Sequence, residues 1–352
     1  MNERLQALAV KAGKRKLNRV LVFNQANILA LTGVNCDAGC LELLAPSTSQ
    51  TLNPSTVQLV FHTDFRYAPM VRRVAPKLKV ADIRQVMKRH PRRAERIGYE
   101  PSVSHSRYLG LVKAFPGARF VDISDDLKML RAVKTEDELK RLRAAVALND
   151  DIWTAARREF RAGMTEREMA QIIKHMMIEC GDGEAFDTIV CVGKNAAECH
   201  HEPDDTVWNG REPILVDMGV KLDGFCSDMT RNVVPRASRL YRQVYDLVLK
   251  ANEAAIAAAR PGITGKALDK VARDVIRKGS FGRCFGHSLG HGVGYEIHEA
   301  PTASKRDDTV LKPGMSVTIE PGVYLEDNLG VRIEDIVLIT ESGCEVLTRS
   351  AK

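Results

Sequence analysis

Residues 214–231 read ILVDMGVKLDGFCSDMTR, and this stretch organises the part of the chain that carries the chemistry. Two short β-favouring segments flank Asp223-Gly224, a dipeptide typical of hairpin turns. In the register that pairs residues 222 and 225, Asp217 pairs with Thr230 and Asp228 lies one diagonal step away. In a register shifted by two residues, Asp217 faces Asp228 directly. Either register places two carboxylates on one face, where they repel unless a proton or cation lies between them.

The alternative is a solvated hairpin whose acids point outward. Asp217 argues against it, because it follows three apolar residues typical of a buried strand. The hypothesis of a bound cation requires further ligands from elsewhere in the chain.

The length and composition of the chain limit the classes of protein to which it can belong. With 352 residues, two domains are expected. No apolar run is long enough to span a membrane, and the first residues lack the apolar core of a signal peptide. The eight cysteines show no paired spacing, which predicts reduced thiols. We therefore expect a cytoplasmic protein without a membrane partner.

The net charge of 52 − 45 = +7 comes from one region. Residues 72–96 contain ten Lys or Arg against two acids, Asp82 and Glu95. A basic cluster can mark a nucleic-acid interface, but this one has no interleaved aromatic residue for base stacking. We therefore expect solvated helix faces here and do not expect a nucleic-acid partner.

Residues 1–125 alternate strand-like and helix-like segments, which predicts a separate α/β domain. Strands are predicted at 20–23, 41–44, 57–61 and 118–121, and helices near 67–74, 82–90 and 105–114. This domain shows no cluster of chemically active side chains.

Residues 126–352 show a different pattern, in which the order helix, helix, strand, strand occurs twice. Capping boxes at 135–138 and 165–168 begin two helices. Residues recur at a fixed offset of 99: Arg161 with Arg260, Gly163 with Gly262, Thr165 with Thr264, Met169 with Leu268, Ile172 with Val271 and Met177 with Ile276. We predict an α+β domain of two similar α-α-β-β halves related by a pseudo-twofold axis, with the strands joined in one sheet. A site at their junction would take ligands from both halves.

The second half supplies three further candidate ligands, His291, Glu320 and Glu334. Glycines flank His291 and allow a ligand to approach closely. The two glutamates end or follow apolar strands, where a carboxylate is costly unless it is paired or binds metal. Together with Asp217 and Asp228 they form an oxygen-rich set with one imidazole. Such a set suits Mn and also Fe, Co or Zn, and bridging carboxylates can hold two ions.

These features resemble the pita-bread metallopeptidases, and within them the aminopeptidase P and prolidase branch. The resemblance extends from residue 130 to the C-terminus. It rests on two aspartates eleven residues apart, His291 within Gly-His-Gly, Glu320 before Pro-Gly and Glu334 within Arg-Ile-Glu-Asp. Residues 63–67 and 97–100 resemble, more loosely, the creatinase-type N-terminal domain.

The resemblance implies a role for each ligand. Asp217 binds one ion bidentately, and Asp228 and Glu334 bridge two ions. His291 and Glu320 complete the site of the second ion. The ions lower the pKa of a shared water, so that a bridging hydroxide attacks the scissile carbonyl. Glu320 is our candidate to take the proton.

Two histidines are assigned to catalysis without binding metal. His200 and His298 match the family's non-ligand histidines, which contact the substrate carbonyl and the oxyanion. His201 is the alternative to His200, but the spacing of seventeen residues to Asp217 favours His200.

Three residues are assigned to the substrate side: His287, Arg332 and Arg306. His287 matches a position that lines the proline pocket, and Arg332 buttresses the acids. Arg306 is the candidate to bind a peptide carboxylate, as a dipeptidase requires. Because Asp307 and Asp308 compete for its charge, we favour an Xaa-Pro aminopeptidase, whose substrate has proline at its second position. The alternative is an Xaa-Pro dipeptidase (prolidase).

Two other classes share this type of fold. A pita-bread binding module without catalysis would suit the basic N-terminal cluster, and a creatinase-like amidinohydrolase acts without metal. Such proteins generally lack the metal ligands, whereas this sequence has all five. The resemblance also implies a homodimer formed through the N-terminal domain.

Overall fold

The computed structural model describes residues 3–45, 53–90 and 94–352. The chain divides into two compact units, Met1–Arg131 and Ala132–Lys352. The predicted boundary between residues 125 and 126 remains our proposal for where the first domain ends and the second begins. None of the helices in the described ranges combines the length and the apolar composition that a membrane span needs.

The first unit is built around a six-stranded mixed sheet. Its elements are α1 (Glu3–Lys14), β1 (Arg19–Val22), α2 (Gln25–Thr32), β2 (Gly39–Leu44), β3 (Gln58–Thr63), α3 (Ala68–Val74), β4 (Lys79–Asp82), β5 (Arg96–Tyr99), α4 (His105–Ala114), β6 (Arg119–Asp122) and α5 (Ser124–Ala132). The strand order is β4-β3-β2-β1-β5-β6; β2 runs antiparallel to β1 and β3, and the other pairs are parallel. Val20 and Val22 belong to one buried cluster and Leu21 to another, so both sheet faces are covered. This confirms the predicted α/β class.

The predicted helix at 82–90 is wrong. Residues Lys79–Asp82 form β4, which pairs in parallel with β3, and only a short 3-10 turn, Ile83–Gln85, follows. Pairing at the sheet edge outweighs the weak helical pattern of this segment. Most of the described basic residues between 72 and 96 are exposed, as expected of solvated faces, while Arg92 and Arg93 lie outside the described residues.

The second unit packs long helices against short strands. Its elements are α6 (Glu136–Glu159), α7 (Glu166–Cys180), β7 (Gly183–Glu184), β8 (Ile189–Val192), β9 (Ile214–Met218), β10 (Val220–Leu222), β11 (Phe225–Cys226), β12 (Met229–Val233), α8 (Arg239–Ala258), α9 (Gly265–Lys278), β13 (Gly290–Gly292), β14 (Glu299–Ala303), β15 (Ser316–Ile319), β16 (Gly322–Leu325), β17 (Leu329–Arg332), β18 (Asp335–Ile339) and β19 (Cys344–Val346). Both predicted capping boxes are present, at the starts of α6 and α7. A buried apolar cluster joins α6 and α7 to β8, β9 and β12.

The hairpin at 214–231 adopts the first of the two predicted registers. Leu222 pairs with Phe225 across the turn, and Thr230 pairs with Asp217. Asp223 has a positive φ of 49°, which an aspartate in a tight turn tolerates. The solvated alternative is wrong for Asp228, because this side chain is buried.

The two predicted halves are visible as matching contacts. Thr165 and Thr264 cap α7 and α9, and each forms an isolated bridge with a later segment, at Val207 and Val310. The strands do not form one sheet as predicted. They form separate ladders, β12-β9-β8, β15-β18-β19, β11-β10-β7, β13-β14 and β16-β17. Within the β13-β14 ladder, a register shift after His291 interrupts the regular pairing.

Candidate metal centre

Short strands of both halves position the five predicted metal ligands. Asp217 lies in β9, and Asp228 directly precedes β12. His291 lies in β13, Glu320 follows β15, and Glu334 lies between β17 and β18. The structure brings these side chains together from both halves of the unit.

His291 contacts acids from both halves. Its Nε2 is 3.5 Å from Asp228 Oδ2 and 3.3 Å from Glu320 Oε1. Single ligand atoms of Asp228, His291 and Glu334 lie within 4.8 Å of one another. Thr318 Oγ1 accepts the backbone N–H of His291 at 3.0 Å and donates to Glu320 Oε1 at 3.0 Å. Thr318 therefore fixes the spacing between the imidazole and this carboxylate.

The buried acids repel one another. Burial raises the pKa of Asp228 well above its usual range, and the charges of Glu334 and Asp217 raise it further. Burial likewise raises the pKa of Glu334 well above its usual range, with the charges of Glu320 and Asp217 adding to the shift. Without a cation, the cluster therefore favours protonated carboxyl groups.

The His291–Glu320 pair behaves as an ion pair. Burial lowers the pKa of His291, but the hydrogen bond and charge of Glu320 outweigh it, and the net shift is upward. Burial raises the pKa of Glu320, but the hydrogen bond and charge of His291 outweigh it, and the net shift is downward. The pair therefore retains charge where the other acids lose it.

Two buried carboxylate oxygens are available to a metal ion. Glu334 Oε2 accepts from Thr230 Oγ1 at 2.7 Å, while its Oε1 accepts no hydrogen bond from any described residue. Asp217 Oδ2 accepts from Arg332 at 2.6 Å, and within the described ranges its Oδ1 likewise has no hydrogen-bond partner. Buried oxygens without donors are costly unless a cation compensates them, so these residues fit divalent metal ions.

Arg332 fixes the side chain of Asp217 within a network of hydrogen bonds. Its side chain is buried and donates Nη2 to Asp217, Nε to Thr230 Oγ1 at 2.9 Å and Nη1 to Tyr324 OH at 2.8 Å. Nη1 also reaches the backbone carbonyl of Cys199 at 3.4 Å. A guanidinium with this many fixed partners orients the carboxylate of Asp217.

His287 lies beside this network. Its Nε2 is 2.9 Å from Tyr324 OH, and its Nδ1 is 2.8 Å from the carbonyl of Ser288. Burial lowers the pKa of His287, which favours the neutral ring. Tyr324 thus joins His287 to Arg332.

His298 and His200 are both exposed, and His298 packs against His291. The rings of His298 and His291 meet edge to face, with centroids 4.4 Å apart. Burial and the charge of His291 lower the pKa of His298, and the charge of His200 lowers it further. His298 is therefore solvent-exposed beside a proposed metal ligand.

His201, the alternative to His200, is bonded elsewhere. Its Nε2 is 2.8 Å from Glu166 Oε2, a fully buried carboxylate at the start of α7. His201 is thus engaged by Glu166, and His200 stays our proposed catalytic histidine of the pair.

Arg306 stands apart from the cluster. It is exposed in the loop after β14, and among the described residues no hydrogen bond or ion pair joins its side chain to the four acids or to His291. Asp307 is not paired with it: its carboxylate accepts the backbone N–H groups of Thr302 and Thr309. The predicted competition of Asp307 for the charge of Arg306 is therefore not seen.

Sequence reasoning missed Thr230, Thr318 and Tyr324 as parts of the site. Thr230 carried one available signal, because the hairpin register places it opposite Asp217. Thr318 lies two residues before Glu320 at the end of the preceding strand, so side-chain alternation would have placed it near this acid, whereas Tyr324 is on the next strand and carried no such signal. Their partners lie in other ladders, which no local pattern specifies.

Comparisons with known proteins agree with this geometry. Residues 140–341 match the model of metallopeptidase family M24, and residues 4–133 match the creatinase/prolidase N-terminal domain. The chain is 34% identical to the Xaa-Pro dipeptidase of Pyrococcus furiosus, covering 100% of this chain and 99% of that protein.

Solved structures give the same result. The prolidase from Pyrococcus horikoshii OT3 superposes with a TM-score of 0.91 at 30% identity, covering 100% of this chain and 99% of that one. The X-Pro aminopeptidase from Thermotoga maritima gives 0.81 at 31% identity, with 96% and 97% covered. The chain therefore belongs to metallopeptidase family M24, with a creatinase/prolidase N-terminal domain.

Proposed function

We propose that this enzyme is an Xaa-Pro dipeptidase that hydrolyses the bond before the proline of a dipeptide with two divalent metal ions, manganese by preference. The observation that best supports the metal-dependent reaction is the cluster of four carboxylates and one imidazole, with buried oxygens that lack donors among the described residues. A catalytically inactive binding module would have no need to maintain such costly repulsion.

The preference for dipeptides reverses our expectation from the sequence. That expectation rested on Arg306, whose predicted competitor Asp307 is engaged by backbone N–H groups instead. Similarity over the whole chain to an Xaa-Pro dipeptidase favours the alternative. We therefore propose Arg306 as a candidate contact for the substrate carboxylate.

The roles proposed for the ligands follow from their positions. Asp217, Asp228, His291, Glu320 and Glu334 would hold the metal ions. When bound, the ions polarise the scissile carbonyl and lower the pKa of a water that serves as nucleophile.

The proton steps fall to residues of the chain. Glu320 would accept the proton, because it is a carboxylate at the edge of the cluster, within reach of the attacking water. His298 has a lowered pKa, so its neutral ring can donate one N–H to the developing oxyanion near neutral pH. His200 contacts the substrate carbonyl, and His287 with Tyr324 lines the pocket for proline.

The test is a comparison of substrate lengths. The kcat/KM of the manganese-loaded enzyme is measured for Ala-Pro and for Ala-Pro-Gly-Gly. We expect cleavage of the dipeptide only. Equal or preferred cleavage of the tetrapeptide would instead establish an aminopeptidase.

Arg306→Ala tests the carboxylate contact, and Lys305→Ala, an exposed cation in the same loop, is the matched control. Loss of a charge-assisted contact is expected to lower kcat/KM for Ala-Pro by about tenfold or more. The control should remain near wild type. If both variants behave alike, another residue binds the carboxylate.

A further inference from the structure

Glu166 is a buried acid that no step of the proposed reaction uses. It is fully buried at the first position of α7. Its Oε1 accepts the backbone N–H of Val192 at 2.6 Å and Asn195 Nδ2 at 2.9 Å. Its Oε2 faces His201 Nε2 at 2.8 Å and accepts the backbone N–H of Asp204 at 3.2 Å. One carboxylate thus binds four points of a single segment, residues 192–204.

This segment carries His200. The residue after it, His201, is bonded to Glu166, and the carbonyl of the residue before it, Cys199, accepts from Arg332 at 3.4 Å. Arg332 also holds Asp217. The backbone around His200 is therefore fixed on both sides, once to a helix start and once to the metal cluster.

In the other half of the unit, the equivalent helix, α9, pairs with its own segment without such a carboxylate. There Gly265 occupies the position of Glu166. The backbone N–H groups of Gly265 and Lys266 donate to Thr309 and Asp307, as those of residues 166 and 167 donate to Thr206 and Asp204. A Cβ at Gly265 would lie 2.1 Å from a backbone oxygen, so no side chain fits. The carboxylate is thus specific to the half whose segment presents His200.

The same side chains could be taken for a second metal site, since Glu166, His201 and Asp204 offer ligand atoms within 4.8 Å. The hydrogen bonds argue against this. Both oxygens of Glu166 already have two partners each, and an ion would have to displace His201. Hydrogen bonds within the protein satisfy both oxygens of Glu166, whereas Glu334 Oε1 has no partner among the described residues.

We infer that Glu166 and His201 form a latch that positions His200 for the reaction. They are positioning residues and do not touch the substrate. The inference rests on the proposed function only for the role of His200. A helix N-terminus stabilises the charge of Glu166, and its hydrogen bonds to an imidazole and backbone N–H groups are of the strong, charge-assisted kind.

The first arm of the test needs no substrate. Hydrogen exchange of residues 193–206 is measured in the full-length protein for wild type, His201→Ala and Glu166→Gln. The control is His175→Ala, which removes an exposed histidine that pairs with Glu179 at 3.2 Å on the same helix. We expect exchange about tenfold faster in the two latch variants and unchanged in the control. Unchanged exchange in the latch variants would overturn the latch.

The second arm measures coupling to His200. The kcat on Ala-Pro is compared in wild type, His201→Ala, His200→Ala and the double variant. We expect His201→Ala to lower kcat about tenfold with KM unchanged, and to change it by less than about twofold when His200 is already absent. His201→Gln, which keeps an N–H donor, should restore most of the rate. Additive losses in the double variant would overturn the positioning role.

Metal content separates the latch from an ion site. His201→Ala and Glu166→Gln should bind as much manganese as wild type, and loss of one ion per chain would replace the latch by a metal site. If wild type fails to cleave Ala-Pro, the proposed function fails, while the exchange arm still decides the latch.

Discussion

At the scale of single residues, Thr230 links two charged side chains of the site. Its hydroxyl donates to Glu334 Oε2 at 2.7 Å and accepts from Arg332 Nε at 2.9 Å. Because a hydroxyl has one proton, the guanidinium directs that proton to the carboxylate. Oε2 of Glu334 is thereby occupied, and Oε1 is left for a metal ion.

His298 provides the first prediction at this scale. His298→Ala should retain bound metal, because the proposed ligand set does not include this ring. It should lose turnover by about 10²–10⁴-fold, the usual worth of a positioned donor or acid–base group. The measurement is kcat on Ala-Pro together with metal content, with His175→Ala as control. A fall of less than about threefold would remove His298 from the mechanism.

His201 provides a prediction of pH dependence. Burial lowers the pKa of His201, but the hydrogen bond and charge of Glu166 outweigh it, and the net shift is upward from 6.5. A raised folded-state pKa contributes stability that is present below pH 6.5 and is lost as the pH rises through the folded value. His201→Ala should therefore reduce the free energy of unfolding by roughly 1.5–3 kcal/mol at acid pH and by less in alkaline solution. Urea denaturation of wild type and His201→Ala in acid and in alkaline solution measures this difference. An equal loss of stability under the two conditions would contradict the prediction.

At the scale of helices and strands, the sequence predicts those elements whose formation depends on residues close together in the chain. Asp223-Gly224 specifies a turn, and the apolar run before Asp217 specifies a strand, so the observed register was among the two that the sequence left open. Residues 82–90 show the limit, because their pairing with β3 depends on residues distant in the chain. Glu166 shows it too, since a glutamate near a helix start reads as an ordinary first-turn acid until its partners are known.

Two buried asparagines give a prediction for the helix–strand contacts. On α6, Asn149 Nδ2 donates to the carbonyl of Met218, next to Asp217. On α8, Asn252 Nδ2 donates to the carbonyls of Ile319 and Ile333, each of which directly precedes a glutamate ligand. The two halves thus use the same device to hold the strand ends.

Each asparagine is predicted to stabilise the fold. Replacement by Ala should cost about 1–3 kcal/mol for a buried carbonyl left without its donor. Asn252→Ala, which frees two carbonyls, should cost more than Asn149→Ala and should also weaken metal binding. Denaturation and metal affinity of the two variants test this. The reverse order of stability loss would contradict the matched roles.

At the scale of the whole molecule, metal binding and stability are coupled. Two ligands come from the first half of the second unit and three from the other, so repulsion in the metal-free site opposes the packing of the halves. Ions that bind the folded state alone add to its stability. The homodimer stays a prediction of the family resemblance.

We predict that this cluster holds two ions that the reaction requires. The most direct measurement titrates chelator-stripped enzyme with manganese and follows both binding and Ala-Pro hydrolysis. We predict two ions per chain and activity that returns with them. Asp228→Asn should bind fewer ions and show no turnover, whereas Asp223→Asn, at the exposed turn of the same hairpin, should match wild type. Full activity in the metal-free enzyme or in Asp228→Asn would contradict the account.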